Sequence, residues 1–277
     1  MSSPKIGLAL SGGAARGMAH VGVLRALLEH GIPIDCIAGT SAGSIVAAAF
    51  ASGMPIDEIA DFGRKLRWRH IGRITMSRFG VQSNARLERY MRERLPVTKF
   101  EDMPIPFAVV ATDLKTGEAV VMKGAGDGPF AIRASCTIPG WYVPVSDKEG
   151  RQLVDGGLVA VIPSNVTRAL GADIVIAVDV NTEGATFISS SGSVIGVLLQ
   201  SMMVVQKIVS RTQLEMSDLV ISPKVGHIRW DQVRRADELM AAGYEAGLES
   251  ISRIRELIAG LTTDNSDLKT GSALIAF

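Results

Sequence analysis

Five residues, Gly39-Thr40-Ser41-Ala42-Gly43, constrain this chain more than any other stretch. An apolar segment (36–38) runs straight into Gly-x-Ser-x-Gly, and a run of small residues with helical character (44–50) follows at once. That order predicts a sharp strand-to-helix turn that holds a serine hydroxyl out at the end of a sheet, a nucleophile elbow. Gly39 and Gly43 flank the serine because the turn is tight and its neighbours leave no room for a Cβ. The helix N-terminus behind Ser41 adds positive potential where an oxyanion would form.

The residues ahead of the elbow strengthen this reading. Residues 5–10 form a short buried strand that ends in Ser11-Gly12-Gly13-Ala14-Ala15-Arg16-Gly17. A helix over 18–30 follows, with Val21, Leu24, Leu27 and Leu28 on one face and Gly31 as its stop. Strand, glycine loop, helix, strand and elbow make a βαβ unit with the loop at the carboxyl end of its first strand. The spacing of Gly12, Ala14 and Gly17 does not give G-x-G-x-x-G, and no Lys-Ser or Lys-Thr follows for a P-loop. Dinucleotide binding is thus the lesser reading, and the alternative use of such a loop is an oxyanion hole, in which backbone N–H groups of Gly12, Gly13 and Ala14 converge on developing negative charge. Such donors are worth about 3 kcal/mol each in acyl transfer.

Further along, Pro55 starts a helix over 56–66, and the segment 64–78 is basic with Trp68 inside it. It reads as a solvated helix end, or as a surface for anionic lipid head groups. A helix over 84–95, capped by Ser83, carries no assigned chemistry. Residues 107–111 and 118–122 alternate as a hairpin around Lys115-Thr116-Gly117, and a helix over 129–135 follows, capped by Asp127. Residues 136–144 form a rigid apolar loop suited to lining a pocket. A strand over 152–155 ends in Asp155-Gly156-Gly157, which reads either as a plain turn or as a carboxylate facing the crevice that holds the elbow. Asp179, in the apolar strand 174–180, is a second acidic candidate. A Met-rich helix over 193–216 reads as core, or as a lid or lipid-access surface. A strand (219–222) and a helix (234–259) complete the pattern, and 261–277 reads as a loosely attached tail beside a domain over 5–260.

Composition narrows the function classes. A net charge of +1 gives no electrostatic case for nucleic acid. Two cysteines, Cys36 and Cys136, build neither a disulfide framework nor a zinc site, so a reducing compartment is expected. The uncharged stretches 36–56 and 184–206 are broken by Gly, Ser or Gln and do not read as membrane spans. The expectation is a cytoplasmic protein, with peripheral contact at the inner membrane surface as the variant of it. Nothing in the sequence indicates a metal, a cofactor or a protein partner.

Ser-Gly-Gly-Ala-Ala-Arg-Gly at 11–17, Gly-Thr-Ser-Ala-Gly at 39–43 and Asp-Gly-Gly at 155–157 together resemble the patatin-like phospholipase family. The order and spacing fit its bacterial members over about residues 5–250, including the strand to Asn181 and the Ala-Ala-Gly-Tyr-Glu-Ala run at 241–246. The resemblance implies a three-layer α/β/α fold with a mostly parallel central sheet. It also implies a Ser-Asp dyad without histidine: Ser41 as nucleophile, Asp155 as base, Gly12, Gly13 and Ala14 as oxyanion donors. Arg16, with Gly17, resembles the arginine that braces the loop. The implied substrates are phospholipids, lysophospholipids or other fatty acyl esters. One departure is Ala14, which stands where the family has a third glycine, so its methyl needs negative φ or accepts strain. The alternatives are a catalytically idle patatin fold that binds and regulates, a soluble esterase or thioesterase, and a triad Ser41…Asp179…His227. The triad fails on architecture, because only two strands precede this serine. His20 lies close behind the glycine loop, placed to support it.

Overall fold

Ile-Gly-Leu-Ala-Leu over Ile6–Leu10 is apolar at every position, the pattern of a strand covered on both faces, and all five residues of this strand, β1, are buried. The computed structural model describes residues 3–181 and 194–271. After β1 come a 3-10 turn (Ala14–Met18), α1 (Ala19–Glu29), β2 (Cys36–Thr40) and α2 (Ala42–Ala51). Next are α3 (Ile56–Lys65), α4 (Trp68–Ile71), β3 (Arg73–Ile74), β4 (Gly80–Ser83) and α5 (Ala85–Arg94). The middle of the chain gives β5 (Phe107–Asp113), β6 (Ala119–Lys123), α6 (Gly128–Ser135), β7 (Gly140–Tyr142), β8 (Val145–Ser146) and β9 (Gln152–Asp155). The last third gives α7 (Ser164–Ala169), β10 (Ile174–Val178), α8 (Val194–Glu215), β11 (Leu219–Ile221) and α9 (Ala236–Gly271).

The main sheet runs β11-β10-β1-β2-β5-β9-β8, with β6 on β5. From β11 to β5 every pairing is parallel, whereas β6, β9 and β8 pair antiparallel. Side-chain alternation assigns the two faces. Ile6, Leu8, Leu10, Ile37, Val109, Ile174, Ile176 and Val178 join the core that includes α1, α2 and α9. Ala9, Cys36, Val175 and Ala177 face the other way with Val161, Ile162 and, from α8, Leu214, while Ala38, Ala108 and Val110 pack with Val166 of α7. Helices cover both faces, giving three layers, α/β/α.

One register matters for the site. Val110 pairs with Thr40 of β2 and Val121 of β6, and Ala111 pairs with Asp155 of β9 and Val120 of β6. A strand has two edges and β6 takes one. So β2 and β9 share the other, β2 leaving after Thr40 where β9 arrives with Asp155.

Several predicted details differ. Residues 64–78 are not simply a helix end and loop but contain α4 and β3, and β3-β4-β7 form a second, three-stranded sheet. The apolar loop at 136–144 contributes β7 to it. Asp127 stands at the N-cap of α6 but makes no cap bond, its carboxylate accepting from Arg92 at 2.5 Å instead. Asn84, not Ser83, is the N-cap of α5. Helix α9 continues as backbone helix to Gly271, beyond the predicted end, and 272–277 lie outside the described residues. Ser193, the predicted start of the Met-rich helix, also lies outside them.

Helices α1 and α9 meet backbone to backbone. A Cβ on Gly22 would lie 1.9 Å from the Met240 carbonyl oxygen, and one on Gly243 would lie 1.9 Å from that of Ala19. Only glycine permits this crossing, and overpacking there has no flexible side chain to yield. Gly243→Ala should therefore destabilise the fold by about 1–3 kcal/mol, read as a lower midpoint in urea unfolding. An unchanged midpoint would contradict the crossing.

Candidate active site

Ser41 follows β2 at φ 51 and ψ −124, a strained conformation for a residue with a side chain, and α2 begins at the next residue. Both flanking glycines are close-approach positions. A Cβ on Gly39 would lie 2.5 Å from the Gly43 carbonyl oxygen, and one on Gly43 would lie 2.3 Å from that of Leu10. The elbow is also tied to β5: the Ser41 N–H donates to Ser135 Oγ at 2.8 Å, and that hydroxyl donates to the Val110 carbonyl at 2.6 Å. Ser44 Oγ donates to the Ser41 carbonyl at 2.6 Å.

The Ser41 hydroxyl donates to Asp155 Oδ2 at 2.7 Å. Asp155 is 3 % exposed, and its Oδ1 accepts the Gly157 N–H at 2.8 Å. Its backbone is fixed as well, with its N–H on the Thr137 carbonyl and its own carbonyl taking the Thr112 hydroxyl. Burial raises the carboxyl pKa from 3.8 to about 6, against the opposing pull of the hydrogen bonds from Ser41 and Gly157. At neutral pH the group is ionised, yet far more basic than a free aspartate. Gly156 packs against β5, where a Cβ would lie 2.2 Å from the Val110 carbonyl oxygen.

The glycine loop is held from outside. Asn181 Nδ2 donates to the Gly12 carbonyl at 2.7 Å, and the Ala15 N–H donates to Trp230 at 2.9 Å. Arg16 is fully buried, and its Nε donates to the Ile228 carbonyl at 2.6 Å. Desolvation lowers its pKa. Gly17 lies beside the elbow, where a Cβ would come 2.7 Å from that of Ala42. His20 is fully buried and its Nε2–H donates to the Ser11 carbonyl at 2.9 Å, while burial holds its pKa down at about 4. It is thus a neutral support behind the loop.

The predicted donor set needs one correction. The Gly12 N–H donates to the Val161 carbonyl at 3.0 Å and so is already occupied. Among the described residues the N–H groups of Gly13 and Ala14 have no such partner, and both residues line the cleft with Ser41. Ala14 sits at φ 49, so the methyl is accommodated by strain. Ala14 and Ser41 are the two non-glycine residues with positive φ among the described residues.

Ser41 lies where two cavities of about 620 Å³ each meet. The first also holds Gly13, Asp155, Asn181, Trp141 and Trp230, and is roofed by Leu199, Met202, Met203 and Gln206 of α8. The second runs inward past Met18, Ile45, Leu66, Leu87 and Ile138 and is almost wholly apolar. The Met-rich helix therefore lines the cleft with one face, while Val204, Val205 and Ile208 are exposed on another. Asp179 and His227 do not join the site. Asp179 Oδ1 accepts the Asn181 N–H at 2.9 Å, and His227 lies 2.9 Å from Glu238. Ser135, Asn181, Gln206 and Trp230 carry no motif of their own, and only the fold brings them here.

The patatin-like phospholipase family model matches residues 8–167, which hold the glycine loop, the elbow and Asp155. The chain belongs to the patatin-like phospholipase family. An NTE family protein of Mycobacterium tuberculosis strain H37Rv is 39% identical over 183 residues, 65% of this chain and 50% of that protein. Lysophospholipase NTE1 of Mycosarcoma maydis is 39% identical over 185 residues, 64% of this chain and 10% of that protein. This patatin-like chain thus matches half or less of the length of these relatives. Among solved structures, VipD of Legionella pneumophila aligns with TM-score 0.57 over 91% of this chain and 67% of its own. At 14% identity that likeness speaks to the fold alone. Among the described residues of this patatin-like chain, no helix is long and apolar enough to cross a membrane.

Glycine at position 14 would reach φ 49 without the clash that a Cβ brings. Ala14→Gly should therefore stabilise the chain by about 1 kcal/mol, less the entropy that glycine gains when unfolded. Equilibrium unfolding of the variant checks this, and a clear loss of stability would mean that Ala14 is not strained.

Proposed function

We propose that this protein is a serine lipid acyl hydrolase of the phospholipase A or lysophospholipase type, working through a Ser41–Asp155 dyad. The observation that carries the reading is the 2.7 Å bond from the Ser41 hydroxyl to a buried carboxylate of raised pKa, at the meeting point of two cavities, one of them almost wholly apolar. Lysophospholipase NTE1, a relative by sequence, supports the substrate class by its name.

The steps follow from these atoms. Asp155 Oδ2 takes the proton of Ser41 as Oγ attacks the acyl carbonyl, forming a C–Oγ bond and an oxyanion. The N–H groups of Gly13 and Ala14 stabilise that oxyanion, with the N-terminus of α2 adding positive potential. Collapse breaks the ester C–O bond, and the departing alcohol oxygen takes the proton from Asp155. Asp155 then deprotonates a water that attacks the acyl-Ser41 ester, releasing fatty acid and restoring the serine. The apolar chamber takes the acyl chain and the cleft beneath α8 takes the rest of the substrate. No step calls on a metal, a cofactor or a histidine. The reading places the protein in a cytoplasmic compartment, which the free, buried thiols Cys36 and Cys136 fit, with peripheral contact to the membrane that supplies the lipid.

Ser41→Ala and Asp155→Asn should each reduce kcat/KM on a fatty acyl ester by about 10³-fold or more with the fold intact. The double variant should be scarcely worse than either, because the two residues act as one unit. A fluorophosphonate probe should label wild type and not Ser41→Ala. Additive losses would count against the dyad, and no labelling of folded wild type would point to an idle, binding fold.

A further inference from the structure

Between Asp61 and Glu88 the chain carries seven lysine and arginine residues and no aspartate or glutamate. Among the described residues, only Arg64 of these pairs with carboxylates, those of Asp61 and Asp237. Glu88, the next carboxylate along, is occupied by Arg92 and Arg133. The middle of this segment folds as the β3-β4 hairpin, paired Arg73 to Ser83 and Ile74 to Gln82. Its tip presents large apolar side chains to solvent: Ile74 is 81 % exposed, Met76 106 % and Phe79 71 %. Arg73, Arg86 and Arg89 line a groove with Ile74 and Met76, and Arg78 directly precedes Phe79 in the turn.

Single exposed apolar residues are common, but three at one protruding turn inside a purely cationic segment need a partner. The partner must offer negative charge at the level of the arginines and an apolar medium just beyond it. An anionic lipid bilayer does so, with phosphates over hydrocarbon. A second copy of this chain does not, since docking tip to tip would bring the two cationic clusters together. The position suits the chemistry as well. Strand β4 pairs with β7, and Trp141 of β7 lines the cleft that holds Ser41. Trp68 and Ile71, immediately before β3, line the apolar chamber.

We propose that the β3-β4 hairpin is a membrane-docking element that sets Ile74, Met76 and Phe79 into an anionic bilayer while the surrounding arginines bind its head groups. Docking there brings the chamber to the lipid surface. The proposal rests on the reading of Ser41 as acting on membrane lipid, and it names the surface through which that substrate is reached.

Flotation of the full Ser41→Ala chain reads binding without turnover, using vesicles of phosphatidylcholine with phosphatidylglycerol and vesicles of phosphatidylcholine alone. The chain should bind the anionic vesicles about tenfold more tightly, and added salt should weaken that binding. Ile74→Ser/Met76→Ser/Phe79→Ser should cut binding by about tenfold or more. With Ser41 present, the same triple change should cut hydrolysis of vesicle lipid in step, yet leave kcat/KM on a soluble short-chain ester within about twofold, because no catalytic group is touched. Arg73→Gln/Arg78→Gln provides a second variant that keeps the apolar tip and should lose the preference for anionic vesicles. Vesicle binding that survives both sets of changes would overturn the proposal. So would a wild type that ignores vesicles but dimerises through the tip. If Ser41→Ala kept full hydrolysis, the catalytic reading would fail, and flotation would still decide the docking.

Discussion

The edge of β5 that faces β2 is divided between two strands, and the candidate site depends on that division. Strand β2 occupies it as far as Val110 and must then leave, because β9 arrives antiparallel at Ala111. The departing strand turns through Ser41 and the arriving strand ends at Asp155, so the hydroxyl and the carboxylate meet across one step of backbone register. Ser135 fastens the junction by accepting from the Ser41 N–H and donating to Val110. The positions of the Ser41 hydroxyl and the Asp155 carboxylate are thus set by sheet hydrogen bonds rather than by long side chains, the kind of support that keeps a site rigid.

Keeping the carboxylate there costs stability. Asp155 titrates near 6 in the folded chain against an ordinary 3.8, so the fold holds the proton more tightly than the unfolded chain does. The stability it contributes is present in full below pH 3.8 and is lost as pH rises through 6, a loss of about 3 kcal/mol by neutral pH. The positive φ of Ser41 and Ala14 adds local strain at the same place. Unfavourable terms are concentrated where Asp155, Ser41 and the glycine loop face one cleft, while the sheet and its helices supply the compensating burial.

Much of this was legible in the sequence because it rests on short-range rules. Gly39 and Gly43 mark the elbow, Gly31 stops α1, and the fully apolar runs at Ile6–Leu10 and Ile174–Val178 mark strands buried on both faces. What was hidden depends on distant partners. The Gly12 N–H looks like its neighbours in sequence, and only Val161, far along the chain, removes it from the donor set. Asp127 has the chemistry of a cap, but Arg92 on another helix takes its carboxylate. The two-residue strand β3 is too short to show alternation, and the exposed Ile74, Met76 and Phe79 run against burial patterning. Ser135 reads as one more small helical residue until β5 and the elbow close around it.

The central claim is that Asp155 is a buried base coupled directly to Ser41. The most direct test is the titration of the Asp155 carboxyl carbon by 13C NMR, with its signal assigned by its loss in Asp155→Asn. A midpoint near pH 6 is expected in wild type. In Ser41→Ala the midpoint should move upward, because the hydroxyl hydrogen bond that favours the charged form is gone. A midpoint below about 4, the range of a free aspartate, and indifferent to Ser41→Ala would contradict that claim.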